Sequence, residues 1–423
     1  MTKHRLTGFG FGPIQAGLFV NEAYQSGNFE RIVVAEIDRQ LVDAVRDNNG
    51  KYFVNVAKSD GIEVLEIENV EMLNPNAESQ RKLLVEALCQ ATEIVTSLPS
   101  VNFYDMEQKS IASLIAKGLA DTQTDAKLIY TAENNNQAAE ILKEKLSEHV
   151  PQDCLKRVQF LNTVIGKMSQ VVTDSRQIEQ MNLVPIAPEI ERAFLVEEFN
   201  RILVTKCELT GFMPGIEVFI EKQDLLPFEE AKLYGHNAIH ALLAYLGAVK
   251  GYKKMSQLKE DADIITIGRD AFLTESGAAL IKKYAVLGDG LFTEAGYKAY
   301  AEDLLTRMTN PYLADTIERA GRDLLRKLGA ADRIFGTMIL ALEQGIEPVN
   351  IAVGAVAAIA TLLDKTQRYK LPEKLHVENW CTISEQQIEK ILNWIWSSES
   401  VKYSDKIIKY VFEARQRLID LVK

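Results

Sequence analysis

Cysteine is scarce in this chain of 423 residues, with Cys89, Cys154, Cys207 and Cys381 far apart and no CxxC pair among them. No cysteine pair is spaced to staple a small scaffold or to hold zinc, and scattered thiols suit a reducing compartment, so the cytoplasm is the expected location. Positive charge is also in deficit, with 48 lysines and arginines against 59 acidic residues, a net charge of −11. A general attraction to nucleic acid or to anionic lipid is therefore not expected, although a local basic pocket for a small anion is compatible with it. Long apolar runs are missing too. The longest, "VNIAVGAVAAIATLLD" at 349–364, is interrupted by Asn350 and Thr361, and is read as a buried helix and not a membrane span. No low-complexity linker or internal repeat occurs, so separate domains are expected to pack together.

What is present is an ordinary globular composition, 47% hydrophobic and 25% charged, at a length that favours two or three domains. The first half alternates short β-branched runs with longer amphipathic segments, the pattern of a parallel sheet with crossover helices. "RIVVAEID" (31–38), "ATEIVTSL" (91–98) and "KLIYTAEN" (127–134) read as strands, and each ends in polar residues. Ligands of open parallel sheets bind beyond the carboxyl ends of the strands, so those polar ends are the places to look for chemistry. After Pro188 helical periodicity takes over, broken by "NP" at Asn310 and "IEPVN" at 346–350. The expected architecture is α/β: a Rossmann-type dinucleotide-binding domain over 1–190, then a mostly α-helical substrate domain over 191–423.

The stretch "TGFGFGPIQAGLF" near the start carries the candidate cofactor loop. Gly10 and Gly12 allow a tight turn and close approach of the backbone to a pyrophosphate. Pro13 and Ile14 then open a helix whose first amides attract the anion. Gln15 stands where GxGxxG has its third glycine, so the motif alone competes with a purely structural turn. The next strand ends in Glu36, about one βαβ step later, where a carboxylate binds both ribose hydroxyls and repels a 2′-phosphate. This favours NAD over NADP, a preference that nearby Arg39 weakens.

A second polar concentration lies in "AKLYGHNAIHALLAYLG" (231–247), which reads as a helix polar at one end and apolar at the other. Asn237 and His240 are three residues apart and share a face; Lys232 lies five residues before Asn237, within a broad sector of that face or just before it. The division suggests a first half that lines a cleft and a second half anchored in the core. A buried polar network or a solvated helix start accounts for the spacing equally well.

The segment resembles the K-x4-N-x2-H signature of the polyol-specific long-chain dehydrogenases, the mannitol dehydrogenase family. "ESGAALIKKY", "NPYLADTIERAGRDLLRKLGAADR" and "LEQGIEP" are similar to the corresponding run of its mannitol-1-phosphate 5-dehydrogenase branch. "FGFGPIQAGLF", "AEIDRQLVDAV" and "TAENNN" stand where the family has its dinucleotide loop, acidic strand end and C-E-N segment. The resemblance spans residues 5–363, strongest from Lys232 to Glu347. It implies NAD-dependent, metal-independent interconversion of a sugar alcohol, or its phosphate, with the corresponding ketose. Lys232 would be the general base, Asn237 and Asn134 donors to the developing alkoxide, and His240 the group that holds the substrate hydroxyl or orients the lysine. Arg319 and Lys327 match the family's pair that meets the far hydroxyls. Such an enzyme is expected as a monomer or homodimer, with no nucleic-acid or membrane partner.

The chain departs from the family pattern at Ala16, where the family has arginine, at Gly166, where it has a substrate-facing aspartate, and at Ala132, where it has cysteine. The catalytic set is kept and the specificity set is not, so the expected substrate is a polyol or polyol phosphate without commitment to mannitol. Two other readings stand beside this one. A β-hydroxyacid dehydrogenase also joins a dinucleotide domain to a helical domain, but with a shorter lysine-to-asparagine spacing. A non-catalytic dinucleotide or sugar sensor would account for the lost aspartate and arginine. Arg322, Arg326 and Arg333 form either a salt-bridged helix face or an anion-binding cluster.

Overall fold

The computed structural model describes residues 3–106, 110–122, 124, 126–397 and 400–423. The chain forms two compact units that divide after Leu226.

Among the described residues the first unit has twelve strands: β1 (His4–Phe9), β2 (Phe29–Ala35), β3 (Tyr52–Ala57), β4 (Ile62–Ile67), β5 (Val70–Leu73), β6 (Glu93–Thr96), β7 (Lys127–Thr131), β8 (Val158–Val164), β9 (Ser169–Val172), β10 (Ala193–Glu197), β11 (Leu203–Thr205) and β12 (Ile220–Lys222). Eight of them make one sheet in the order β12-β11-β8-β7-β6-β1-β2-β5. From β5 through β8 every pairing is parallel, which gives the doubly wound order 3-2-1-4-5-6. The three runs expected as strands are β2, β6 and β7. Strands β6 and β7 are buried along their whole length, as parallel strands covered on both faces must be. Alternate residues feed two cores. Leu128 and Tyr130 pack with Leu18 and Val42 on one face, while Ile129 packs with Leu88, Ile115 and Leu142 on the other.

A second, four-stranded sheet in the order β4-β3-β10-β9 flanks the first. Its strand β10 pairs in parallel with β3, more than a hundred residues earlier in the chain, and β11 pairs with β8. These pairings tie residues 193–222 to the first unit, so the compact units meet at Leu226, whereas the change of sequence texture near Pro188 placed the boundary at 190.

The second unit is helical. Helix Val349–Asp364 is buried over most of its length and forms its centre. The "NP" break holds: helix Glu294–Met308 ends, and Asn310 accepts the Tyr312 amide at 2.9 Å to start a new turn. The tail joins this core. Trp396 is buried, donates its indole N–H to the Leu328 carbonyl at 3.1 Å and stands edge-on to Phe335. Among the described residues no helix is long and apolar enough to cross a membrane.

Candidate active site

In the first unit the chain leaves β1 through Gly10, whose φ of +81° and whose closeness to the Ser97 carbonyl, 2.5 Å from where a Cβ would stand, both require glycine. Gly12 differs: nothing lies within 4 Å of its would-be Cβ, so it faces open space at the start of the helix that Pro13 and Ile14 open. The glycine missing from the motif has moved to the strand. Gln15 is fully buried with both amide atoms unpartnered, and its amide lies over Gly8, where a Cβ would be 1.9 Å from it. Gly8 thus makes the room that the third glycine makes in the usual motif.

Glu36, next after β2, accepts the Phe11 amide at 2.7 Å on one oxygen and the Asp38 amide at 2.9 Å on the other. Each oxygen keeps a free lone pair, so the carboxylate is fixed beside the glycine turn and still able to bind a pair of hydroxyls. Arg39 is mostly exposed and turned to Asp43, 3.3 Å away. An open glycine, a helix N-terminus and an oriented carboxylate at the switch point between β1 and β6 fit a dinucleotide. Asn134 lies exposed in the turn after β7. That turn is anchored by its neighbour Glu133, a buried carboxyl that takes hydrogen bonds from Thr96, Tyr104 and the Leu98 amide. Burial raises the Glu133 pKa despite those donors. The anchoring role of Glu133 was within the quoted "TAENNN" motif but is visible only once β6 and β7 are neighbours.

In the second unit the polar helix start is not α-helical. Between Leu226–Glu230 and Ala238–Val249 the chain forms a π-helical stretch, Ala231–Asn237, in which the Ala238 amide reaches the Leu233 carbonyl five residues back. A five-residue step in an α-helix rotates roughly 140° past a full turn. A π turn, closed by hydrogen bonds five residues apart, sets residues five apart more nearly in line than an α-helix does, which favours Lys232, Asn237 and His240 sharing one side. Widening leaves carbonyls in need of donors. The Tyr234 carbonyl receives the Ser276 hydroxyl at 2.8 Å and has the Thr337 hydroxyl at 3.1 Å. Gly235 permits the close approach, since a Cβ there would stand 2.7 Å from the Tyr297 hydroxyl and 3.0 Å from Phe272. Ser276 lies in a second π stretch, Ala271–Gly277, packed against the first.

Lys232 is half-buried. Burial, followed by the nearby charge of Arg333, pushes its amine down to about 8, with Glu229 opposing. His240 sets its Nε2 3.0 Å from Asp315, and Arg319 donates to the other oxygen of the same carboxylate at 2.7 Å. Burial alone would raise the Asp315 carboxyl, but the hydrogen bond and charge of His240, then those of Arg319, hold it well below the usual range. An ionised Asp315 accepts only, so the His240 Nε2 that faces it carries a proton. Asp315 was missed by sequence reading, as its partner His240 is 75 residues away; the i,i+4 spacing to Arg319 was its one local signal. His236 has i,i+4 spacing to His240, with the rings 6.3 Å apart, but it is buried and strongly disfavours protonation, chiefly through burial. Among the described residues no three histidine, cysteine or acidic groups stand together as a metal would need.

The remaining basic residues lie along one stretch of the second unit. Arg319 is engaged with Asp315, and Lys327 is buried with its ammonium on the Ala320 carbonyl, pushed down to about 7 by burial and then by Arg333 and Arg326. Arg326 and Arg333 both pair with Asp332, at 3.2 and 2.9 Å, and Arg326 also approaches Asp323 at 3.9 Å, the carboxylate that lies 4.0 Å from Arg322. The three arginines are thus linked by ion pairs through Asp323 and Asp332, and all three bear on the Lys327 amine. Ala16 is fully buried, and its carbonyl accepts the Tyr52 hydroxyl. Gly166 lies half-buried between β8 and β9, with Phe199 3.8 Å from its would-be Cβ.

The mannitol dehydrogenase C-terminal domain matches residues 224–416, the stretch that holds the π-helical lysine and the His240–Asp315 pair. That domain matches the second unit over nearly its whole length. Over 355 residues the chain is 28% identical to mannitol-1-phosphate 5-dehydrogenase of Buchnera aphidicola subsp. Acyrthosiphon pisum (strain APS), covering 83% of this chain and 84% of that protein. The fold is that of D-sorbitol dehydrogenase in its substrate-free form, with a TM-score of 0.76 at 13% identity, covering 99% of this chain and 94% of the other. Mannitol 2-dehydrogenase of Pseudomonas fluorescens, solved as a ternary complex with NAD and D-mannitol, superposes with a TM-score of 0.69 at 16% identity, covering 100% and 93%. The mannitol dehydrogenase domain also takes in most of the tail, where sequence resemblance had faded after residue 363.

Proposed function

We propose that the protein is an NAD-dependent oxidoreductase that interconverts a secondary alcohol of a sugar alcohol, or of its phosphate, with the matching ketose. The observation that carries this reading is the π-helical turn, which presents a lysine with a depressed pKa, an asparagine and an Asp315-oriented histidine on one helix. Bound NAD would accept the hydride. Lys232 takes the hydroxyl proton, and the carboxamides of Asn237 and Asn134 donate to the oxygen as charge develops on it. The His240 ring, oriented by Asp315, hydrogen-bonds a substrate hydroxyl and places the polyol chain relative to the amine. Arg319, held by Asp315, and Lys327 are assigned to the far hydroxyls. In the first unit Gly10, Gly12, Pro13 and Ile14 hold the pyrophosphate and Glu36 the ribose hydroxyls, which favours NAD. The mannitol-1-phosphate 5-dehydrogenase relative, which matches most of the chain, supports a phosphorylated polyol as one substrate to test first.

The test is NADH formation by purified protein across a panel of polyols, polyol phosphates and β-hydroxyacids. Turnover confined to one or more polyols or their phosphates is the expected result. Turnover of hydroxyacids alone, or NAD binding with no turnover of any compound, overturns the proposal in favour of the other enzyme class or of a sensor.

A further inference from the structure

The mannitol dehydrogenase domain contains a cleft of about 560 Å³ at the far end of helix Ala238–Val249 from Lys232. Its lining includes four cations, Lys253, Arg322, Lys365 and Arg368, against two carboxylates, Glu318 and Asp364. In a protein with a net charge of −11 this is a local reversal of sign. The cations are also poorly neutralised. Among the described residues only Arg368 makes a close ion pair, 2.8 Å to Glu318, while Arg322 is 4.0 Å from Asp323 and neither lysine is paired with a carboxylate. Glu318 is held below its ordinary pKa by Arg368 and then by Lys365 and Lys253, so a single carboxylate faces three of the cations.

Aromatic side chains, Tyr245 and Trp380 among them, complete the cleft. Tyr245 is 1% exposed and its buried hydroxyl has no hydrogen-bond partner, while Trp380 is half-buried. The volume falls within the range of small-molecule sites and far exceeds that of an inorganic ion. Guanidinium groups with free donors, beside lysines, suit a dianionic phosphate more than a single carboxylate.

We propose that this cleft binds a small organic phosphate, with the phosphoryl group among Arg322, Arg368, Lys253 and Lys365 and the organic part against Tyr245 and Trp380. Its wall at Thr316, Ile317 and Glu318 continues directly from Asp315, which orients His240, so the site is placed to influence the polyol chemistry.

The test uses full-length protein saturated with NAD and titrated by calorimetry with inorganic phosphate, glucose 6-phosphate and 3-phosphoglycerate. Lys365→Glu and Arg322→Glu are compared with the unmodified chain after thermal melts confirm that they fold. At least one organic phosphate should bind about tenfold or more tightly than inorganic phosphate, and either reversal should weaken it by about tenfold or more. Binding should persist in Lys232→Met, which separates this cleft from the polyol site. The proposal is overturned if neither organic phosphate binds at millimolar concentration, if inorganic phosphate binds as tightly, if charge reversal leaves the affinity unchanged, or if Lys232→Met abolishes binding.

Discussion

Replacing Lys232 with methionine removes the amine while keeping a side chain of similar reach, and the consequences can be worked through from the pKa. An amine lowered from 10.5 to about 8 is neutral in about 9% of molecules at pH 7, against about 0.03% for an unperturbed lysine, a gain of roughly three-hundredfold in available base. Polyol oxidation should therefore rise with pH and level off above about 8, whereas ketose reduction, which needs the protonated amine, should fall over the same interval. Loss of a general base costs about 10²- to 10⁴-fold, so Lys232→Met should lower kcat for oxidation by that factor and abolish the limb near pH 8. Stability should move the other way. The fold disfavours the ammonium, so the unfolded chain binds more protons between about pH 8 and 10.5, and the native lysine costs stability below that window. At pH 7 the variant should melt at a higher temperature than the parent. Stopped-assay rates from pH 6 to 10 in both directions, with thermal melts, check this. A variant that keeps a tenth or more of the parent rate, with the same pH limb, refutes the assignment of the base.

Other expectations bear on the rest of the construction. Gly12→Val should leave the melting temperature almost unchanged, since its side chain enters open space, yet lower NAD affinity by at least about tenfold by calorimetry, whereas Gly10→Ala should chiefly lower stability. Asp315→Asn should cut kcat/KM for the polyol by about 10- to 100-fold through misorientation of His240. The native Asp315 carboxyl lies below its ordinary pKa, so its contribution to stability is present above the ordinary carboxylate range and is lost as the pH falls beneath it; acid melts of this variant should accordingly be less steep in pH than the parent's. Trp396→Ala should destabilise the second unit by about 3–5 kcal/mol, as measured by urea unfolding, since a buried indole with a hydrogen bond is lost.

The parallel sheet was legible because its strands carry local signals. The β-branched runs of β2, β6 and β7 end in Glu36, Ser97 and the Asn134 turn, and the glycines stand where the first strand must turn. What was hidden depends on partners distant in sequence. Strand β10 looks like the start of a new domain until β3 is beside it, so the change of texture near Pro188 misplaced the unit boundary relative to Leu226. The π-helical turn rests on the hydroxyls of Ser276 and Thr337 and on Phe272 and Tyr297 against Gly235, none of which the K-x4-N-x2-H spacing reveals. Asp315 and Glu133, which hold His240 and the Asn134 turn, were hidden for the same reason: each acts by orienting another group across the fold. Gln15 looked like a defect in the glycine motif, and Gly8 beneath it shows that the two positions exchanged sizes.

The most direct measurement is a crystal structure with NAD and the best polyol from the turnover panel, read as the distance from Lys232 Nζ to the hydroxyl on the carbon that yields hydride. A separation of about 2.6–3.2 Å, with the Asn237 carboxamide on the same oxygen, is the result expected of a lysine base. An amine out of hydrogen-bond reach of that hydroxyl, with another side chain in its place, would contradict it.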